Sequence, residues 1–166
     1  MFTWSGVSHS IRLAAEILTN LMTGLNRDEA VRMIRGFFNS HGLDTPGLNE
    51  SNLGGASLGE YQIYFEYQPA NQTLKCSALV YRFRDEPKPG VIEGFEAESG
   101  GATAEAGGGV LEYQRENKGL YLTRSYSDAV SDQEFADDLK RLMKASLVYG
   151  DQVLDRVAAK VFTQNN

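Results

Sequence analysis

A chain of 166 residues with 42% hydrophobic and 10% aromatic residues is long and apolar enough to bury roughly 70% of its unfolded surface in one core, with no need of a metal or disulfide staple. The net charge of −6 and an isoelectric point near 4.9 go against a nucleic-acid partner or an anionic membrane surface, since neither is attracted without clustered Lys and Arg. Cys76 is the only cysteine, which excludes an intramolecular disulfide and a cysteine-rich metal site. The start of the chain is interrupted by Arg12 and Glu16 and lacks the apolar run of a signal peptide or membrane span, so a cytoplasmic protein is expected.

From Val7 the apolar residues Ile11, Ala14, Leu18, Leu21 and Leu25 recur at three- and four-residue steps, the mark of an amphipathic helix that Gly24 can close. Residues 1–25 are therefore read as an N-terminal helical extension and residues 26–166 as a single α+β unit. Asn26 with Glu29 has the form of a capping box and opens a second helix, whose apolar face uses Ala30, Val31, Ile34, Phe37 and Phe38 and which ends at His41-Gly42. Residues 44–59 read as loop with one short, weak edge strand around Leu53 to Leu58.

Tyr61, Ile63, Phe65 and Tyr67 alternate with Gln62, Tyr64, Glu66 and Gln68, the clearest strand pattern in the chain. A turn over residues 69–72 leads into a second strand over residues 73–83, giving an antiparallel hairpin. Residues 91–98 admit a short helix weakened by its glycine, or a mobile loop. A second hairpin follows, residues 110–115 and 120–126, with Asn117 and Gly119 suited to the positive φ angles of the turn. Ser131 and Glu134 then form another capping box, and Phe135, Leu139, Leu142, Ser146, Tyr149, Val153, Val157 and Phe162 trace one helical stripe. Unbroken, that helix measures about 48 Å against a domain diameter near ~40 Å, so a break near Gly150-Asp151 or a contact with another subunit is expected.

Catalytic signatures do not emerge. His9 and His41 fall on different predicted helices without partners at ligand spacing, and read as surface or helix-terminal residues. No G-x-S-x-G elbow marks a nucleophile. Gly107-Gly108-Gly109 precedes a strand rather than a helix, so it reads as a flexible linker instead of a phosphate-cradling loop. Cys76, flanked by Leu74 and Ala78 on one strand face with Lys75 on the other, reads as a buried structural thiol. Asp128, Asp132, Glu134, Asp137 and Asp138 cluster at a helix start, where the dipole favours negative charge, and read as a solvated, capped terminus. The chain is not expected to be an enzyme or to carry a cofactor or metal.

The order of elements and the stretches Tyr61-Gln62-Ile63-Tyr64-Phe65-Glu66-Tyr67, Leu74-Lys75-Cys76-Ser77-Ala78-Leu79-Val80, Gly109-Val110-Leu111-Glu112-Tyr113, Gly119-Leu120-Tyr121-Leu122-Thr123-Arg124 and Asp132-Gln133-Glu134-Phe135 carry a resemblance. Over roughly residues 27–157 the chain resembles the type III secretion chaperone superfamily, including the Tir-chaperone-like and YbjN-like proteins. The resemblance implies an α+β fold: an antiparallel twisted sheet of two hairpins plus an edge strand, packed against N-terminal and long C-terminal helices. It further implies a homodimer that binds an extended segment of a client protein in apolar grooves or by strand addition, without ATP or metal. Two features depart from the family pattern: the extra helix before Gly24, and the glycine-rich stretch of residues 94–109 where the family has a middle helix that often helps form the dimer. Tyr64, Tyr81 and Phe83 on the first hairpin are the candidate partner-binding residues, with packing in the core as their alternative. The rival function is a small-molecule-binding or regulatory domain with its pocket between sheet and helix.

Overall fold

A computed structural model describes residues 11–12, 24–99 and 104–163. The expected amphipathic helix of residues 7–25 lies outside these residues except for a helical Ile11-Arg12, and Phe162 at the end of the last stripe likewise has no described side chain. The element order is α1 (Arg27–Ser40), β1 (Leu53–Leu58), β2 (Tyr61–Gln68), β3 (Thr73–Arg82), α2 (Val91–Ser99), a 3-10 turn (Ala104–Ala106), β4 (Val110–Gln114), β5 (Gly119–Tyr126) and α3 (Asp132–Thr163). The strands form one antiparallel sheet in the order β1-β2-β3-β5-β4, as the α+β reading requires.

Alternation decides which face of the sheet is buried. Ile63, Phe65 and Tyr67 of β2 stand opposite Ala78, Cys76 and Leu74 of β3, which in turn stand opposite Leu122, Arg124 and Tyr126 of β5. This inner face carries α1 and α3. Phe38 of α1 meets Phe65 edge to face at 5.8 Å, while Phe37 reaches Phe135 of α3 at 6.3 Å, and Phe135 also meets Tyr126 at 5.4 Å. Such pairs contribute on the order of 1 kcal/mol each beyond the area they bury. The caps are those read from the sequence: Asn26 Oδ1 accepts from the Glu29 amide, and Ser131 Oγ from the Glu134 amide.

Four local expectations change. Residues 91–99 are helical, with Phe95 buried edge to face against Tyr149 of α3, so the loop alternative falls away. In the β4–β5 turn it is Lys118 that takes the positive φ of 55°, while Asn117 uses its side chain to accept from the Gly119 amide. Gly107-Gly108-Gly109 is not a slack linker. Gly107 and Gly109 are buried, Gly107 against the Asp138 carbonyl and Gly109 against Leu142, where a side chain has no room.

The fourth change concerns α3, which runs continuously through Gly150 with no break. A β-carbon at Gly150 would lie 2.5 Å from the Val80 carbonyl oxygen, so the glycine is there to let the helix backbone close on β3. This gives a prediction with a definite sign. In an exposed helix interior Gly→Ala gains about 1 kcal/mol, whereas Gly150→Ala is expected to lose about 1–3 kcal/mol through overpacking, as read from urea unfolding midpoints.

Candidate functional site

Among the described residues the outer face of the sheet carries no helix, and no strand pairs with β1 on the side away from β2. None of the six residues of β1, Leu-Gly-Gly-Ala-Ser-Leu, is fully buried, and although Ala56 and Leu58 pack against the core, the strand is held largely by its ladder to β2 and by its anchors. The anchor at its start is a compact asparagine loop. Asn49 accepts the amides of Ser51 and Leu53 on its side chain and donates its own amide to the Leu53 carbonyl at 2.7 Å. Asn52, at φ 62°, gives its carbonyl to the Tyr67 amide, and Arg27 of α1 clamps the loop by donating to Asn52 Oδ1 and the Asn49 carbonyl.

These bonds fix the phase of the edge. Asn52 bonds toward β2, whereas both polar groups of Leu53 turn away from it toward Asn49. Continuing that alternation leaves the amides and carbonyls of Gly55 and Ser57 facing outward, with no neighbouring strand among the described residues. Beside them lies a shallow open depression of about 480 Å³, walled by Asn49, Leu53, Gly55, Ser57 and Tyr64. It has an apolar character, since Leu53 and Tyr64 are 47% and 38% exposed. Gly55 stands opposite Tyr64 in the β1–β2 register, and the Tyr64 ring leans over it, where an added β-carbon would come within 3.2 Å of Cδ1.

The three aromatic residues singled out from the sequence do not share a face. Tyr64 is on the outer face, edge to face with Tyr121 at 6.0 Å. Tyr81 and Phe83 are on the inner face, where Tyr81 meets Phe83 at 4.9 Å and Phe83 meets Tyr113 at 6.0 Å; Phe83 is buried. The reason is a β-bulge: Leu79 pairs with Tyr121, but Tyr81 pairs with Leu120, so one extra residue of β3 reverses the side on which everything after it points. The edge residues Leu53, Gly55 and Ser57 were not singled out from the sequence; the signal available was a six-residue strand with two glycines, a composition suited to an edge.

The other groups flagged for chemistry take structural roles. His41 caps α1, its Nδ1 2.9 Å from the Phe37 carbonyl and its ring against Phe37, while His9 lies outside the described residues. Cys76 is fully buried, and burial pushes its thiol well above the ordinary range, with the nearby Arg124 guanidinium opposing and Asp138 adding to the rise. Asp138 departs from the solvated reading of the acidic helix start. It is 8% exposed and pairs with Arg124 Nη1 at 2.9 Å, while the Tyr126 hydroxyl donates to the same Oδ2 at 2.9 Å. Arg124 also donates to the Gly107 carbonyl and stacks over the Tyr126 ring at 4.7 Å, tying the glycine turn, β5 and α3 together. The Tyr126 phenol is pushed up first by burial and then by its bond to the Asp138 carboxylate. Among the described residues no group of three or more His, Cys, Asp or Glu is placed to hold a metal ion, and no helix is long and apolar enough to cross a membrane.

With this geometry in hand, solved structures supply the comparison. A chain of the ExsC–ExsE complex superposes with a TM-score of 0.63 at 12% identity, over 78% of this chain and 96% of that one. A chain of the HopA1–SchA chaperone–effector complex does so at 0.55 and 10% identity, over 76% and 98%. A chain of the heterodimeric ExoU–SpcU complex from the type III secretion system of Pseudomonas aeruginosa does so at 0.50 and 17% identity, over 74% and 95%. The fold is that of the type III secretion chaperones. No family model matches the sequence, and no curated protein matches it by sequence. The type III secretion chaperone-like fold is thus shared with these chains at 10–17% sequence identity, and the likeness is one of architecture.

Two outcomes test the assignments of the buried groups. Folded protein near pH 8 is expected to leave Cys76 unlabelled by a thiol reagent over minutes, with full labelling once denaturant unfolds the chain, since reaction needs an exposed thiolate. Asp138→Asn keeps a hydrogen-bond acceptor for Tyr126 but strands the half-buried Arg124 charge, and is expected to cost about 2 kcal/mol in urea unfolding.

Proposed function

We propose that this protein is a non-enzymatic, chaperone-like module that binds an extended segment of a client protein as an additional strand on β1. The observation that carries the reading is the free edge at Gly55 and Ser57. Among the described residues the two outward amides and two outward carbonyls there have no partner strand, and an apolar depression lies beside them to receive side chains. Backbone pairing at such an edge supplies affinity, and pockets for alternate side chains supply selectivity. The chaperone–effector character of the HopA1–SchA complex, whose fold the chain shares, supports a protein partner.

In this reading Tyr64 is the aromatic that meets the client. Tyr81 and Phe83, on the far side of the bulge, keep the hairpin packed on its inner face. The protein works in the cytoplasm as a homodimer, without ATP or metal. The sheet offers β4 as a second outer strand with Val110 48% exposed, a surface for a second copy that leaves β1 free for the client.

Ser57→Pro separates edge pairing from folding. Proline removes an outward amide while leaving the β1–β2 ladder intact, which an edge strand tolerates. The variant is expected to unfold within about 0.5 kcal/mol of the wild type, yet to lose the proteins that the wild type captures from its native cell extract. Equal capture by both proteins sinks the edge reading. Sedimentation equilibrium at micromolar concentration tests the dimer, and a monomer mass throughout rules it out.

A further inference from the structure

The segment that carries the edge has an unusual charge distribution. Between Arg35 and Lys75 the sequence contains no Lys or Arg, but it contains Asp44, Glu50, Glu60 and Glu66. All four are exposed, and none forms an ion pair or side-chain hydrogen bond among the described residues. Of the two cations that come near, Lys75 is neutralised by a carboxylate, whereas Arg27 bonds only neutral groups and keeps its charge at the start of β1. Lys75 stands opposite Glu66 in the ladder, but its ammonium bonds Glu112 at 2.6 Å, and Arg27 places its donors on Asn52 and Asn49.

Two of the carboxylates bracket β1. Glu66 stands across from Leu53 at one end, and Glu60 follows Leu58 in the hairpin turn at the other. Between them Gly55 leaves a gap on the outer face. An added strand would run about 9.6 Å from β2, two strand spacings away. Because Gly55 has no side chain, a ring on the added strand and the Tyr64 ring can approach across it to the 4.5–7 Å range at which aromatic pairs attract.

Resting on the edge reading above, we infer that the client segment is basic at both ends and carries a large apolar or aromatic side chain at its centre. Lys or Arg near Glu60 and Glu66 sets where the strand starts and stops, and the central ring seats over Gly55 against Leu53 and Tyr64. The complementarity is one-sided: an acidic segment meets the Glu60 and Glu66 carboxylates at the two ends of β1.

The test uses three blocked synthetic nonapeptides added to the full-length protein, followed by backbone amide shifts. One is Lys-Thr-Val-Thr-Phe-Thr-Val-Thr-Lys, the second has Glu at both ends, and the third has Ala for Phe. The lysine peptide is expected to shift the β1 amides, Gly55 and Ser57 foremost, and to bind at least about ten-fold tighter than the glutamate peptide at low salt. Most of that preference should disappear near 0.5 M salt, where the Debye length falls to about 4 Å. The alanine peptide should bind about ten-fold weaker, and Glu60→Gln with Glu66→Gln should remove most of the lysine preference while leaving the far-UV spectrum unchanged. If lysine and glutamate peptides shift β1 with equal affinity, the charge inference is wrong and the edge reading stands. If phenylalanine and alanine peptides bind alike, the seat over Gly55 is wrong. If no peptide shifts β1, the edge reading and this inference fall together.

Discussion

The close approach of α3 to the inner face of the sheet is the constraint on which the rest of the structure depends. Phe135, Leu139, Leu142 and Val153 bury one stripe of the helix, and Gly150 lets its backbone come down on β3. The contacts of α3 fall on β2, β3 and β5, with α1 beside it. Among the described residues the helices lie on one face only, and the two outermost strands have the least beneath them. The exposed strand at β1 is therefore a consequence of where one helix sits. An antiparallel sheet sustains this arrangement because each strand separates its apolar and polar residues by parity.

Inside that contact lies one expensive group. Arg124 emerges on the inner face opposite Cys76, a position that otherwise belongs to the core. Its Nη1 meets both the Asp138 carboxylate and the Gly107 carbonyl, while its flat face rests on Tyr126. Removing a guanidinium from water is tolerated only when charge and hydrogen bonds are both answered. Here the answer recruits the glycine turn before β4, which explains why three consecutive glycines are packed rather than slack. The turn must come close enough to α3 for a carbonyl to reach Arg124, and no side chain fits in that space.

Much of the architecture was legible because its signals were local and repeated. The alternation of β2, the two capping boxes and the stripe of α3 each depend on residues a few positions apart, and all emerged where the pattern placed them. What the sequence could not display were events set by a partner across space. Gly150 looks like a helix breaker until β3 is beneath it. Asp138 looks like one more acid at a helix start until Arg124 arrives from β5. The bulge at Val80 and Tyr81 has no local mark at all, yet it transfers Tyr81 and Phe83 from one face to the other. Of the three aromatic candidates only Tyr64, which precedes the bulge, stands on the outer face that its alternation suggested.

The candidate edge shows the same limit in another form. A strand reading Leu-Gly-Gly-Ala-Ser-Leu has poor intrinsic strand propensity, and its existence rests on the Asn49–Asn52 loop, the Arg27 clamp and the ladder to β2. Gly54 is held to glycine by the Gly47 carbonyl pressed against it, and Gly55 by the Ile63 carbonyl and the Tyr64 ring. The missing side chain on the outer face, at Gly55, is thus dictated by β2 beside it. A protein that needed only to protect this edge would place a lysine or a proline there. This chain instead has no basic residue within β1 and sets Glu60 and Glu66 at its two ends, which guard poorly against a basic strand and better against an acidic one.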